Sequence, residues 1–210
     1  MRGSVRELVA AVVWLMACVL AATPASSADA IETIVFLRHG EKPQQGLGQL
    51  TCQGLNRALA LPPVIAKQFG KPSAIFASNP SDRKKDRGTP YDYVRPLATI
   101  EPTAIALGLP VNTKYGISNL VGLRKALVQT PYQNALVLVA WEHKQIVTLA
   151  RGLMSEYGGD ATQVPNWRDD DFDSMYVVTI TRSGNKTSAT FKQTRQELDG
   201  QADACPHVTE

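Results

Sequence analysis

Short apolar runs alternate with longer amphipathic stretches along most of the chain. The apolar runs predict strands at Ile34–Leu37, Ala74–Ala77 and Ala135–Ala140, and the last, being wholly apolar, is predicted to lie centrally in a sheet. The runs Met175–Thr181 and Ser188–Lys192 flank a polar, glycine-containing turn and predict a hairpin.

The stretches between the strands predict helices. Thr51 is a predicted N-cap for a helix through Leu61, which Pro62 and Pro63 should break, leaving a second short helix at Val64–Phe69. Further helices are predicted at Arg95–Gly108, Val121–Val128 and Lys144–Tyr157. The charged stretch 78–94 is punctuated by proline and glycine, and we expect it to be irregular.

Strands that alternate with helices indicate an α/β fold. We expect a three-layer sandwich with a mostly parallel central sheet, helices on both faces and a C-terminal hairpin. Ligands of such sheets bind beyond the carboxyl ends of the strands. The side chains predicted there are Arg38 and His39, then Ser78, then Glu142 and His143, with Arg95 opening the next helix.

Two histidines and two arginines at one edge of a sheet suggest phosphoryl chemistry. The neutral imidazole of His39 is a nucleophile that could attack phosphorus. Arg38, Arg95 and a protonated His143 could hold the phosphoryl oxygens, because guanidinium groups match phosphate geometry. Each residue alone also has a structural interpretation, so the hypothesis depends on the set being brought together.

Length and charge narrow the classes of function. The chain has 210 residues, enough for one domain, and its net charge of +3 is too small to indicate nucleic acid or an anionic membrane as partner.

Residues 1–28 combine two arginines, an apolar run and small residues before Ala28, which is typical of a secretory signal peptide. A membrane anchor, or lipid attachment at Cys18, is the alternative.

Export would place the protein in the periplasm or outside the cell. After cleavage at Ala28 or Ala30, two cysteines remain, Cys52 and Cys205. In an exported chain such a pair suggests a disulfide, and two unrelated thiols are the alternative.

Four segments resemble those of the histidine phosphatase superfamily, also called the phosphoglycerate mutase-like family. They are IVFLRHGEKP, LTCQGLNRALAL, IFAS followed by RPLAT, and ALVLVAWEHKQI, which occur in the family's order between Ile34 and about Leu149. The resemblance implies that 29–210 is a histidine phosphatase-like domain that needs no cofactor. It also implies His39 as the phospho-acceptor and Arg38, Arg95 and His143 as the phosphate pocket.

The resemblance does not extend to the general acid. The segment PVNTKYGISNLVGL lacks the mutase-type glutamate, and Lys144 stands where phytase-type members have aspartate. Glu142 is the expected proton donor, and Glu41, Glu101 and the run Asp169-Asp170-Asp171 are alternatives. Without an efficient general acid, the enzyme would favour substrates with good leaving groups, or would be most active at acid pH.

The sequence thus predicts an exported phosphatase that works through a phosphohistidine on phosphorylated small molecules or phosphoproteins. A catalytically weak phospho-ligand-binding protein of the same fold is the alternative, and a metal site at His39 and His143 is a third. We expect no nucleic acid, no membrane contact after cleavage, and no metal; the oligomeric state stays open. The basic loop 82–87 could line the entrance to the site or be a solvated surface.

Overall fold

The computed structural model describes residues 29–206, so the predicted signal peptide and Cys18 lie outside the described residues. The strands are β1 Ala30–Arg38, β2 Ala74–Ala77, β3 Arg83–Asp86, β4 Thr89–Asp92, β5 Val111–Asn112, β6 Leu136–Trp141, β7 Ser174–Ser183 and β8 Lys186–Arg195. The helices are α1 Cys52–Phe69, α2 Arg95–Leu107, α3 Leu120–Leu127 and α4 His143–Glu156, with 3-10 turns at Thr130–Tyr132 and Ala161–Gln163.

Six strands form one sheet in the order β5-β2-β6-β1-β7-β8. Strands β5, β2, β6 and β1 run parallel, while β7 is antiparallel to β1 and pairs with β8 as the predicted hairpin. Strand β1 therefore lies inside the sheet, and its residues 34–37 are fully buried. The carboxyl ends of β1, β2 and β6 meet at one edge, as the sequence predicted.

Both faces of the sheet are covered, which confirms the three-layer sandwich. On one face, α3 and α4 pack through Leu123, Leu127, Ile146 and Leu153 against Phe36, Val139 and Trp141. On the other face, α1 and α2 pack through Leu61, Ile65 and Ile100 against Val35, Leu37 and Leu138. Burial of such side chains contributes about 1.5–3 kcal/mol each.

The predicted break in the first helix was wrong, because α1 is one helix with Pro62 and Pro63 inside it. Proline removes a hydrogen bond and costs about 3 kcal/mol in a helix interior. Pro63 is exposed, whereas Leu61 and Ile65 on either side are fully buried against the sheet. Burial of these two side chains offsets the cost and keeps the helix continuous.

The stretch 78–94 was also predicted wrongly, because it contains the hairpin of β3 and β4. Its turn, Arg87-Gly88, has two positive φ angles of 52° and 89°, as a tight hairpin turn requires. Along β3, Lys84 and Asp86 turn inward and Arg83 and Lys85 face solvent. The charged strand is stable because both inward-facing charges find partners at the site.

The predicted disulfide is present between Cys52 and Cys205, whose Cα atoms lie 4.6 Å apart. Asn56 adds hydrogen bonds of 2.8 Å from its amide nitrogen to the carbonyl oxygens of Ala202 and Ala204. The C-terminal segment is thereby tied to the first turns of α1. Within residues 29–206, no helix has the length and apolarity needed to span a bilayer.

Candidate active site

His39 follows β1 directly and is 2% exposed. Its backbone N–H donates to the carbonyl of Trp141 on the neighbouring strand, at 3.2 Å. Its Nδ1 lies 2.8 Å from the carbonyl oxygen of Gly40, and because a carbonyl only accepts, Nδ1 carries the proton. Nε2 is then left with a free lone pair, which is the state a nucleophile needs.

The surroundings keep the His39 ring neutral. Burial is the main cause that holds the pKa of His39 well below its ordinary value, and the positive charges of Arg95, Arg38 and His143 lower it further. The rings of Tyr93 and Phe172 lie beside the His39 ring, with centroid distances of 5.9 Å and 6.2 Å. The guanidinium carbon of Arg95 lies 4.8 Å from the Tyr93 centroid, and that of Arg38 lies 3.8 Å from the Phe172 centroid. Both arginines are therefore brought near the imidazole.

The backbone around His39 is held from two sides. The N–H of Gly40 donates to Oγ1 of Thr99 at 2.9 Å, and that hydroxyl donates to the carbonyl of Arg95 at 2.9 Å. A Cβ on Gly40 would lie 2.9 Å from the carbonyl oxygen of Gly54, and one on Gly54 would lie 2.5 Å from that of Glu41. Glycine is therefore required where α1 meets the loop after His39.

Arg38 reaches across to the loop before β7. Its Nη1 donates to the carbonyl oxygens of Asp171 at 2.8 Å and Asp169 at 2.9 Å, and its guanidinium lies 3.8 Å from the ring centroid of Phe172. Burial lowers the pKa of Arg38, although its neighbouring carboxylates partly restore it. These contacts fix the guanidinium beside His39.

Arg95 is held by the hairpin. Its Nη1 donates to Oδ2 of Asp86 at 2.5 Å, and its guanidinium carbon lies 4.8 Å from the ring centroid of Tyr93. Burial alone would raise the pKa of the Asp86 carboxyl, but the contact with Arg95 outweighs it and lowers that pKa. The buried pair positions the second arginine at the start of α2.

His143 opens α4, next to the end of β6. Its Nε2 donates to Oδ1 of Asp169 at 2.7 Å, which fixes the orientation of the ring. Its Nδ1 lies 3.1 Å from Oε1 of Glu142, without the alignment of a hydrogen bond. Nδ1 is buried, so it can serve as a donor to a bound anion when the ring carries both protons.

Glu142, the expected proton donor, caps α4 by accepting from the N–H of Gln145 at 3.0 Å. Lys84 of the hairpin lies 3.9 Å away. Burial raises the pKa of Glu142, but His143, Lys84 and the Gln145 amide outweigh it and bring that pKa to about 2. The acid role of Glu142 stays a prediction, and this environment counts against it because the carboxylate is held ionised.

The other candidate acids occupy different places. Glu41 accepts three hydrogen bonds from Arg57, which is 1% exposed and also pairs with Asp173 at 3.1 Å. Glu101 lies on the exposed side of α2. Asp169 reaches the site through His143, and that contact is the main cause that lowers the pKa of its carboxyl.

Several buried polar atoms at the site have no hydrogen-bond partner. They are Arg38 Nε, Ser78 Oγ, Tyr93 Oη, Arg95 Nε and His143 Nδ1. Leaving such a group unpaired costs about 1–3 kcal/mol, and more when the group is charged. A set composed mainly of donors at one place fits an anion with several acceptor oxygens, and phosphate is such an anion.

No group of three or more histidine, cysteine or acidic residues in the described part of the chain is arranged to hold a metal ion. The basic segment 82–87, predicted as a loop, contains strand β3, and its charged side chains point in two directions. Lys84 points toward the site, while Arg83 and Lys85 face solvent.

Sequence reasoning missed three residues of the site. Tyr93 and Asp86 come from the hairpin region, and Phe172 comes from the loop before β7. Asp169 was predicted only as an alternative acid, and its contact with His143 was not predicted. The Arg87-Gly88 pair, with a glycine suited to a tight turn, was the available signal for the hairpin. The contacts of the loop before β7 join residues about 130 positions apart, and no local pattern reveals them.

Comparisons with known proteins support the fold. No family model and no curated protein matched the chain. A structure named as phosphohistidine phosphatase SixA from Nakamurella multipartitia is 12% identical, with a TM-score of 0.51, over 77% of this chain and 95% of that one.

Two further structures agree with it. A mycobacterial glucosyl-3-phosphoglycerate phosphatase with inorganic phosphate is 15% identical, with a TM-score of 0.52, over 77% of this chain and 95% of that one. A phosphoglycerate mutase from Plasmodium falciparum is 12% identical, with a TM-score of 0.50, over 86% and 98%. All three belong to the histidine phosphatase superfamily, and the chain therefore has the fold of that superfamily, as its sequence motifs implied.

Proposed function

We propose that this protein is an exported phosphatase that works through a phosphohistidine at His39. The observation that carries the proposal is the buried, neutral His39 with its Nδ1 proton engaged by Gly40 and its Nε2 free. Arg38, Arg95 and His143 surround it with positive charge and unpaired donors. A nucleophile beside preorganised donors is the arrangement that phosphoryl transfer requires.

The chemistry has two displacement steps. The Nε2 lone pair forms a bond to phosphorus while the bond from phosphorus to the leaving oxygen breaks, and that oxygen takes up a proton. Water then attacks phosphorus, the P–N bond breaks, and inorganic phosphate leaves with His39 restored. Arg38, Arg95 and a protonated His143 would hold the three non-bridging oxygens in both steps.

The site lacks an evident donor of the proton that the leaving oxygen needs. The pKa values of the carboxyl groups of Asp86, Glu142 and Asp169 are all lowered, so each is ionised at neutral pH. We therefore expect aryl phosphates, phosphohistidines and anhydrides to react faster than alkyl phosphates. The phosphatase neighbours also favour phosphorylated substrates, either a small phosphate ester or a phosphohistidine.

The lowered pKa values of these carboxyl groups also favour the second candidate, a phospho-ligand-binding protein with weak turnover.

Export remains part of the proposal and is supported by the N-terminal sequence and by the disulfide. Recovery of the mature chain, beginning near Asp29, from a periplasmic or extracellular fraction would test export.

The test of function is a screen of phosphorylated metabolites and phosphohistidine from about pH 4 to about pH 8, with His39→Ala as the inert control. We expect turnover by the wild type, none by His39→Ala, and an acid-labile phosphate on the protein after quenching. Phosphate binding without turnover would favour the binding protein. Equal turnover by the His39→Ala variant would refute the mechanism.

A further inference from the structure

Tyr93 lies next to His39 but has no part in the two displacement steps proposed above for His39, Arg38, Arg95 and His143. It is 1% exposed, and its ring stands edge-on to that of His39, with the centroids 5.9 Å apart and the planes at 87°. The guanidinium carbon of Arg95 and the Nζ of Lys84 lie 4.8 Å and 5.2 Å from the ring centroid. The ring is thus fixed among the cationic groups of the site.

The hydroxyl of Tyr93 is the unusual feature. Its oxygen is buried and has no hydrogen-bond partner. The nearby Arg38 and Arg95 side chains carry only donors, so neither can accept the hydroxyl proton. A buried tyrosine normally finds a partner for its hydroxyl, so an unpaired one indicates a missing acceptor.

The hydroxyl keeps its proton in this environment. Burial is the main cause that raises the pKa of Tyr93, and the negative charge of Glu142 adds to it, whereas Arg95 and Arg38 act in the opposite direction. A phenol that stays neutral is a donor at every pH at which the enzyme would work.

The backbone holds Tyr93 at this place. Its N–H donates to the carbonyl of Asp82 at 3.1 Å, which anchors it just after the hairpin. Arg95 follows two positions later, so the hydroxyl and the second arginine come from one short segment. The hairpin therefore supplies the site with a neutral donor in addition to its cations.

We propose that the Tyr93 hydroxyl donates a hydrogen bond to the phosphoryl group bound at His39, and that Tyr93 is a catalytic residue alongside Arg38, Arg95 and His143. The inference rests on the proposed function, because it takes phosphate as the missing acceptor. A phosphoryl oxygen pairs the orphaned hydroxyl, and the pairing is made only when substrate is bound. The same hydrogen bond stabilises charge on the transferring group.

Tyr93→Phe removes the hydroxyl and keeps the ring. Tyr91→Phe on the same hairpin is the matched control, since its side chain is partly exposed and lies outside the cluster around His39. The measurements are the inhibition constant of inorganic phosphate, kcat/KM for p-nitrophenyl phosphate, and the free energy of unfolding without phosphate. Each is measured for the wild type and both variants.

We expect Tyr93→Phe to weaken phosphate binding and to lower kcat/KM by about 10- to 100-fold, the range for a hydrogen bond to a charged group. Its stability without phosphate should equal or exceed that of the wild type, because the lost hydroxyl had no partner. Tyr91→Phe should resemble the wild type in both catalytic measurements.

Two results would overturn the inference. Phosphate binding by Tyr93→Phe within about twofold of the wild type would show that the hydroxyl does not reach the phosphoryl group. A loss of stability without a loss of phosphate affinity would show that the hydroxyl has a structural partner. A wild type that neither binds nor turns over phosphate esters would instead refute the proposed function, and this inference with it.

Discussion

Replacing Glu142 by glutamine keeps the shape of a buried side chain and removes its charge. Glu142 is 7% exposed, and its carboxylate accepts from the Gln145 amide at 3.0 Å and lies 3.9 Å from the Nζ of Lys84. Burial opposes its ionisation, but these neighbours and His143 bring its pKa to about 2. The Glu142→Gln variant therefore measures how much the charge stabilises the site.

The magnitude follows from the two pKa values. An unfolded glutamate has a pKa of about 4.3, so a folded pKa of about 2 corresponds to about 3 kcal/mol of stability at neutral pH. Because the folded pKa is depressed, this stability is fully present above the unfolded pKa and is lost as the pH falls toward 2. Glutamine has no proton to gain and lacks this dependence.

Urea unfolding of the wild type and of Glu142→Gln, measured from pH 7 down to about pH 2, tests this reasoning. The variant should be less stable by about 3 kcal/mol near pH 7, and the difference should shrink toward zero in acid. Glu101→Gln, on the exposed side of α2, should stay within about 0.5 kcal/mol of the wild type throughout. A difference that stays constant with pH would refute the reasoning.

The same variant separates two roles of Glu142 in catalysis. If the carboxylate only positions His143 and Lys84, Glu142→Gln should slow aryl and alkyl phosphate hydrolysis by the same factor. If it protonates the leaving oxygen, the loss should be much greater for alkyl phosphates, since general acid help is worth about 10²–10⁴-fold. The low pKa favours the first outcome.

Two further predictions concern the supports of the site. Asp86→Asn leaves Arg95 without its buried partner, so it should cost about 3 kcal/mol in urea unfolding and weaken phosphate inhibition; the exposed Asp92→Asn is the control, and equal effects of the two would contradict the role of the Asp86 pair. Replacing both Cys52 and Cys205 by serine opens a bridge of sequence separation 153 and should cost up to about 5 kcal/mol by the loop-entropy model. Thermal unfolding with and without reductant checks the latter, and a reductant-insensitive wild type would contradict it.

The apolar runs were sufficient to predict five of the six strands of the sheet and the edge at which the site lies, whereas the two-residue strand β5 was not predicted. Strands such as β6 are buried on both faces, so their apolar sequence is unambiguous, and the carboxyl-end rule then places His39 and His143 together. The disulfide was also predicted from the residues, because Cys52 and Cys205 are the two cysteines outside the predicted signal peptide.

The errors arose where tertiary contacts outweigh local preference. Pro62 and Pro63 indicate a helix break, but the burial of Leu61 and Ile65 keeps α1 continuous. The charges of β3 indicate a solvated loop, yet two of them are stabilised by partners on other elements, Arg95 and Glu142. Lys84 and Glu142 lie far apart in the sequence, and although Asp86 and Arg95 are only nine positions apart, the burial of their pair depends on the assembled fold.

The close approach of Gly40 and Gly54 has a mechanical consequence. Backbone touches backbone there, so the reactive loop rests directly on the first turn of a helix whose opening residue, Cys52, is bonded to Cys205. Reduction of the disulfide, as in a cytosol-like environment, would free the C-terminal segment from α1. Because α1 contacts the loop after His39, we expect the backbone of that loop to become less rigid.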